Sequence, residues 1–167
     1  MQRYKNDRAR NQLSASPGRH EFVIVLERLK AGFNVPKIFR SAEVFGASEI
    51  HLIKIGPFDP APAVGAFRRV PARFFEDFKQ SHDDLSARGY TFFILEPSCT
   101  RSVSRHPLPR KSAFVFGHEE YGVNIDRSRY PDLLCLGIPQ FGCTDSLNVS
   151  VAASIVMYEY VRQLETS

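Results

Sequence analysis

The stretch Leu133–Thr166, LLCLGIPQFGCTDSLNVSVAASIVMYEYVRQLET, decides the fold. It opens on a short apolar run, Leu133 to Ile138, which breaks at Pro139. A polar loop with Gly142 and Asp145 follows, and then a long helical pattern. Leu147, Val151, Ile155, Tyr158 and Arg162 recur at spacings of three and four, so this row is expected to face a core. Asp145 or Ser146 can cap the helix by accepting hydrogen bonds from its first free N–H groups. Val156, Met157, Tyr160 and Val161 give the helix a second apolar face. It is therefore expected to be buried on two sides, by a second subunit or under the N-terminal segment. Strand, loop and helix start together form an N–H-rich concavity at a strand end, where open α/β sheets hold ligands.

Upstream, the chain alternates between strand and helix patterns. Phe22–Leu29 is rich in branched aliphatics and reads as a buried first strand. In the segment after Gly32, Val35, Ile38, Phe39, Ala42 and Phe45 suit an amphipathic helix. Asn34 is its expected N-cap, Pro36 fits its first turn, and Gly46 stops it. Ser48–Ile55 gives a second strand. The Pro- and Gly-dense stretch after it cannot be regular throughout. A helix is expected from Ser81, as its cap, to Gly89, then strands at Tyr90–Leu95 and Ala113–Gly117. Strands apolar throughout, alternating with helices, predict an α/β fold with a mostly parallel sheet covered by helices on both faces. No internal repeat or second composition block appears, so residues 21–167 read as a single domain preceded by a basic arm, residues 1–20.

Composition narrows the function. The chain has 167 residues, 43% apolar and 24% charged, ordinary for one globular domain. No stretch approaches the roughly 20 apolar residues of a membrane span, and the polar N-terminus lacks the apolar run of a secretion signal. Cys99, Cys135 and Cys143 show no metal-ligand spacing and are expected as free thiols in a reducing cytoplasm. The net charge of +4 permits a polyanionic partner. The arm carries Arg3, Lys5, Arg8, Arg10 and Arg19, either as a frayed tail or as a contact for nucleic-acid phosphates. Arg68, Arg69 and Arg73 lie among Phe67, Phe74 and Phe75. That pattern can grip single-stranded RNA, but it fits better a phenylalanine core with arginines reaching to water.

Several chemistries lack their motifs. There is no G-x-G-x-x-G after the first strand and no G-x-x-x-x-G-K-[ST], so the usual dinucleotide and triphosphate sites are not expected. The five histidines have no ligand spacing, so no metal is expected, and Ser146 has no nucleophile elbow. Three strand ends carry polar or glycine-bearing loops: Leu95-Glu96-Pro97, Gly117-His118-Glu119 and Ile138-Pro139-Gln140. Adjacent, they can offer backbone groups to a purine edge without a phosphate loop.

Three motifs in order give a resemblance. NVPKIFRSAEVFG (Asn34–Gly46), FVFGHEEYGVN (Phe114–Asn124) and IPQFGCTDSLNVSVAASIVMYEYVRQ (Ile138–Gln163) resemble the motifs of the SpoU, or TrmH-type, branch of the SPOUT RNA methyltransferases. Pro36 stands where that family often has glycine. The resemblance implies a C-terminal deep trefoil knot, S-adenosylmethionine (AdoMet) as cofactor, and a homodimer with a shared site. It also implies 2′-O-methylation of ribose in RNA, in tRNA before rRNA. Carried onto this chain, it implies cofactor contacts from Leu95, Glu96, Gly117, Ile138 and Leu147. Arg40 would be catalytic, with Asn34, Glu119, Ser146 and Asn148 ordering the site.

The chemistry restricts Arg40. Arginine does not give up its proton in proteins, so its expected role is to stabilise a developing alkoxide or to clamp a phosphate bidentately. An RNA-binding relative that has lost transfer, or an unrelated flavodoxin-like enzyme, are the competing readings. Calorimetry with AdoMet separates the enzyme from the retired relative: micromolar or tighter binding is expected, and a chain that binds RNA but not AdoMet has retired its site.

Overall fold

A computed structural model describes residues 1–167, with element order α1 (Gln2–Ser14), β1 (Val23–Glu27), α2 (Asn34–Val44), β2 (Glu49–Ile53), α3 (Ala66–Arg69), β3 (Ala72–Phe75), α4 (Phe78–Ala87), β4 (Thr91–Leu95), β5 (Ser112–Phe116), β6 (Leu133–Leu136) and α5 (Val149–Glu165). The six strands form one sheet in the order β3-β2-β1-β5-β4-β6. Every pairing is parallel. The carboxyl ends of all the strands therefore share one edge, and the loops leaving them meet there. No helix is long and apolar enough to cross a membrane.

Alternation along the strands divides the core. Phe22, Ile24 and Leu26 of the β1 segment, with Phe114 and Phe116 of β5, face the cluster under α1, α2, α3 and α5. Val23 and Val25, with Ala113 and Val115, face a smaller cluster that includes Phe78 and Leu85 of α4. Burial on both faces explains why these strands read as continuous apolar runs.

The structure corrects several local expectations. In α5 the buried row is Ala153, Val156, Met157 and Tyr160, each 0% exposed. Val151, Ile155 and Tyr158, expected at the core, are 46%, 37% and 58% exposed. Both faces are apolar, so periodicity alone could not order them. The cap of α5 is Asn148, whose side chain accepts from the Ser150 N–H at 2.9 Å, so neither Asp145 nor Ser146 caps it. The helix starts at Val149, and a cap reaches only two or three residues onward. Asn34 is the first residue of α2 and makes no capping bond, whereas Gly46, at φ +69°, does end that helix. Asp77 caps α4 in place of Ser81.

The irregular segment after β2 contains a strand, β3, which parallel pairing with β2 stabilises although its side chains are only half buried. Phe67 is buried and Arg68, Arg69 and Arg73 pair with Asp7, Glu43 and Asp84, so this group is core and ion pairs. Residues 2–14, expected as part of a basic arm, form α1 on the domain surface. Tyr4 packs between Phe58 and Phe67 at centroid distances of 5.2 and 5.7 Å. The Asn11 amide donates to the Phe67 and Val70 carbonyls, both at 2.6 Å, and its oxygen accepts from the Ala72 N–H at 3.1 Å.

A buried polar group links β2 to α4. Glu49 and His51, two apart on one strand, face Ser81, Asp84 and Arg88, which share one face of α4. His51 Nδ1 lies 2.7 Å from the Ser81 hydroxyl and Nε2 2.7 Å from Glu49. Arg88 donates to Glu49, and Arg73 to Asp84 at 2.7 Å. Burial lowers the His51 pKa below its ordinary 6.5, despite Glu49. Burial alone would raise Glu49, but hydrogen bonds from His51 and Arg88 prevail and hold it at about 2 against an ordinary 4.5. Both depressed values mean stability present at neutral pH and lost on acidification, through His51 below pH 6.5 and through Glu49 from 4.5 toward about 2. The thermal midpoint is therefore expected to fall in two limbs, the first below pH 6.5 and the second below pH 4.5. His51→Gln should flatten the upper limb, and an unchanged upper limb in calorimetric scans would assign it to other groups.

Candidate active site

At the carboxyl edge, the loops after β4, β5 and β6 and the start of α5 enclose a cavity of about 370 Å³, within the range of cofactor sites. Leu95, Phe116, Leu136, Ile138, Leu147 and Ala152 give it an apolar lining. Glu96, His118, Glu119, Gln140, Ser146 and Asn148 supply polar groups. All five residues expected at a cofactor, Leu95, Glu96, Gly117, Ile138 and Leu147, lie on its wall. So do Glu119, Ser146 and Asn148. Phe116, Gly122, Val149 and Ala152 lie within the motifs but were not expected as site residues, and Leu136 lies outside them; all five face the cavity beside expected residues.

Asn34 stands one hydrogen bond behind the wall. Its amide donates to Glu119 Oε1 at 3.0 Å, and its oxygen accepts from the Asn148 amide at 3.1 Å. Lys30 N–H donates to Glu119 Oε2 at 3.2 Å. Both carboxylate oxygens are thus held, one from the β1–α2 loop and one from the first residue of α2, and Asn148 in turn caps α5. The Lys30 ammonium bonds Glu120 at 2.5 Å and holds that exposed carboxyl below the ordinary range. Arg127 pairs with Glu96.

Two glycines let the loops close. A Cβ on Gly117 would lie 2.2 Å from the carbonyl carbon of Gly122. One on Gly137 would lie 2.4 Å from the Cys99 carbonyl oxygen. Both obstacles are backbone, so no side chain can be admitted without moving a wall.

Arg40 lies elsewhere. It projects from α2 into a shallow depression with Lys37, Ser41, Ser154, Ile155 and Tyr158, on the face where α2 and α5 leave apolar side chains uncovered. Val44 on that face is 70% exposed. One chain thus holds the Glu119–Asn34–Asn148 group and the cavity together but keeps Arg40 apart from them.

Cys99 and Cys135, expected as free thiols, are joined in a disulfide with a Cα–Cα distance of 5.6 Å, and Cys143 alone is free and exposed. The pairing of β4 with β6 brings these residues together across 36 positions of chain, which spacing could not reveal. Cysteine content therefore gives no ground for a reducing compartment.

With this geometry, a profile described as the SpoU rRNA Methylase family matches residues 21–158. The chain belongs to the SpoU methylase family. It is 28% identical over 148 residues to the Borreliella burgdorferi tRNA (guanosine(18)-2′-O)-methyltransferase, covering 86% of this chain and 67% of that protein. The AdoMet-bound rRNA methyltransferase of Sinorhizobium meliloti superimposes with a TM-score of 0.77 at 23% identity, over 93% of this chain. This chain spans only 60% of that structure's length. A structure described as giving insights into 2-OH methylation of C/U34 on tRNA superimposes with a TM-score of 0.75 at 25% identity, over 90% of this chain and all of that one. The family's cofactor, AdoMet, fits the cavity of this SpoU protein in size, in its apolar lining and in its glycine-closed walls.

Gly117→Ala tests the wall. At least a tenfold loss of AdoMet affinity is expected by calorimetry, whereas Gly142→Ala, with nothing within 4 Å of its Cβ, should bind as wild type. Equal affinities for the two variants would show that the cavity does not take the cofactor.

Proposed function

We propose that the chain is an AdoMet-dependent ribose 2′-O-methyltransferase of tRNA that works as a homodimer, with Arg40 of one protomer completing the cavity of its partner. The observation that carries this reading is a division within one chain: a formed cavity with Glu119 and Asn148 locked at its wall by Asn34, and Arg40 on a separate exposed face. The apolar row Val151, Ile155 and Tyr158, with Val44, makes that face suited to a second copy. The tRNA-directed names of the Borreliella relative and of the C/U34 structure favour tRNA, and the family's rRNA designation keeps rRNA as the second reading. A catalytically retired RNA-binding relative is disfavoured because Asn34, Glu119 and Asn148 are still hydrogen-bonded to one another.

A knot is part of the same reading. The segment leaving β6 pairs with the β4–β5 connection in a parallel bridge, where Gly137 N–H donates to Arg101 O at 2.8 Å and Val103 N–H to Gly137 O at 3.0 Å. The Gln163 amide of α5 then donates to the His106 carbonyl at 3.1 Å. Contacts of this one connection with both the chain before α5 and the end of α5 support threading of the C-terminal segment.

When bound, AdoMet supplies a methyl on sulfonium, an already good leaving arrangement. The protein's task is then to hold a ribose oxygen about 3 Å from that methyl and in line. Glu119, fixed by Lys30 and Asn34, has no freedom to swing and keeps the cavity mouth in one shape. Ser146 and Asn148 hold the other side of the mouth. The planar guanidinium of Arg40 clamps the phosphate beside the reacting ribose, or stabilises the oxygen as its proton leaves to that phosphate or to water.

Arg40→Lys keeps the charge and loses the planar fork. Its kcat is expected to fall by about 10²-fold, in line with loss of one positioned donor, while AdoMet affinity stays at the wild-type value. Wild-type turnover would remove the clamp. Mixing Arg40→Ala with Glu119→Ala protomers should restore part of the activity that each lacks alone. No recovery, with heterodimers shown by mass spectrometry, would sink the shared site. Nucleoside mass spectrometry of RNA from cells lacking the gene names the modified position.

A further inference from the structure

The carboxyl edge holds a second cavity, which the cofactor and the reacting ribose leave unused. It measures about 240 Å³ and lies at the ends of β1 and β2 and the start of α4. That is too small for a cofactor-sized ligand but ample for a phosphate and part of its sugar. One loop joins it to the cofactor cavity: Glu119, Glu120 and Gly122 face the cofactor side, and Asn124 and Ile125 face the second cavity.

Two of its residues adopt a backbone form that side chains seldom take. Arg28 follows β1 at φ +56° and Lys54 follows β2 at φ +51°; neither is glycine. Such residues cost free energy and persist where the surroundings fix them, often at sites of function. Here both are basic, both leave neighbouring strands, and both line the same cavity. Lys79 and Arg129 complete a set of four cations around it.

Three carboxylates share the cavity, and Glu27 lies in the field of Lys54 and Asp126 in that of Arg129, but each acid has a nearer partner. Asp77 accepts from the Gln80 N–H at 2.9 Å and Asp126 from the Ser128 N–H at 3.1 Å, each closing a local turn. Glu27 is buried, bonds Arg28 at 2.8 Å, and has its carboxyl pushed up by burial. Lys79 pairs with Asp83 at 2.5 Å. Lys54 and Arg129 have no carboxylate partner within ion-pair distance, and Phe78 and Tyr130 provide an apolar wall beside them.

We propose that this cavity is a subsite for a phosphodiester of the substrate RNA flanking the nucleotide at the cofactor cavity, held by Lys54 and Arg129. The proposal rests on the RNA-methyltransferase reading and extends it to where the strand runs. A phosphate seated between these cations orients the polynucleotide across the loop 118–125, so that its neighbour enters the cofactor side. Lys54 and Arg129 are positioning residues here, since neither reaches the reacting atoms.

The test measures binding of total tRNA from cells lacking the gene, as a function of salt, alongside AdoMet binding. Lys54→Glu and Arg129→Glu are each expected to weaken RNA binding about tenfold, the cost of about 1.4 kcal/mol per decade. Together they should reduce the slope of log affinity against log salt by about one, the loss of one phosphate contact. AdoMet affinity should stay unchanged, and KM for RNA should rise while kcat at saturating RNA holds. Lys111→Glu, at the opposite edge of the sheet, makes the same charge change and should bind RNA as wild type. Lys54→Gln and Arg129→Gln give a smaller effect of the same sign and serve if a reversal fails to fold. Reversals that match Lys111→Glu, in a wild-type background that binds and methylates RNA, overturn the subsite and leave the enzymatic reading intact. A wild type that neither binds nor methylates RNA overturns both. Millimolar inorganic phosphate is the second arm. If it raises the melting midpoint in a Lys54- and Arg129-dependent way while RNA binding ignores both residues, the cavity takes a free anion and the RNA assignment is wrong.

Discussion

The hydrogen bonds that join Glu119, Asn34 and Asn148 are the constraint on which the site depends. Asn34 and Asn148 are 114 residues apart, and Asn34 and Glu119 are 85 apart. Each partner follows a different strand of the sheet, so the bonds form only when β1, β5 and β6 have taken their places. Once formed, they fix three loop ends at once. Asn148 serves twice, since the oxygen that caps α5 and the amide that bonds Asn34 belong to one side chain. A cap is worth about 1 kcal/mol. The same residue therefore sets where the helix begins and where the wall of the cavity stands.

A parallel sheet makes this economy possible. With every strand running in one direction, all the loops that end strands in the carboxyl sense gather at one edge. The cofactor cavity and the smaller basic cavity are neighbours for that reason alone. The opposite edge carries only connections such as Lys111, whose ammonium donates to the Arg88 carbonyl at 2.9 Å. Chemistry sits where dipoles and free N–H groups are presented, and stability is left to the two faces.

Much of this was legible in the chain. Val23–Leu26 and Ala113–Phe116 announced buried strands because both their faces are covered. Most residues lining the larger cavity lie in the second and third motifs, Phe114–Asn124 and Ile138–Gln163, with Leu95 and Glu96 at a strand end outside them. Other features were hidden for identifiable reasons. The exposed row of α5 could not be separated from its buried row because both are apolar. Cys99 and Cys135 meet only through the pairing of β4 with β6. The Glu49–His51 group reads as two polar residues in a strand, and its meaning lies in Ser81, Asp84 and Arg88 on a helix 30 or more positions away. The basic helix α1 looked like a loose arm because its anchors, Tyr4 and Asn11, are single residues in a polar run.

The placement of β6 beside β4 bears on how the molecule comes to exist. Five strands and most of the apolar interior are complete before residue 133 is added, yet the floor and one side of the donor cavity come from residues 133–152. Long-range parallel pairing is slow to form, because loop closure is unfavourable until the distant contacts are made. The binding pocket is therefore complete only once this last, long-range pairing is made. Without β6 the pocket lacks a wall, and β4 becomes the outermost strand and presents an open edge.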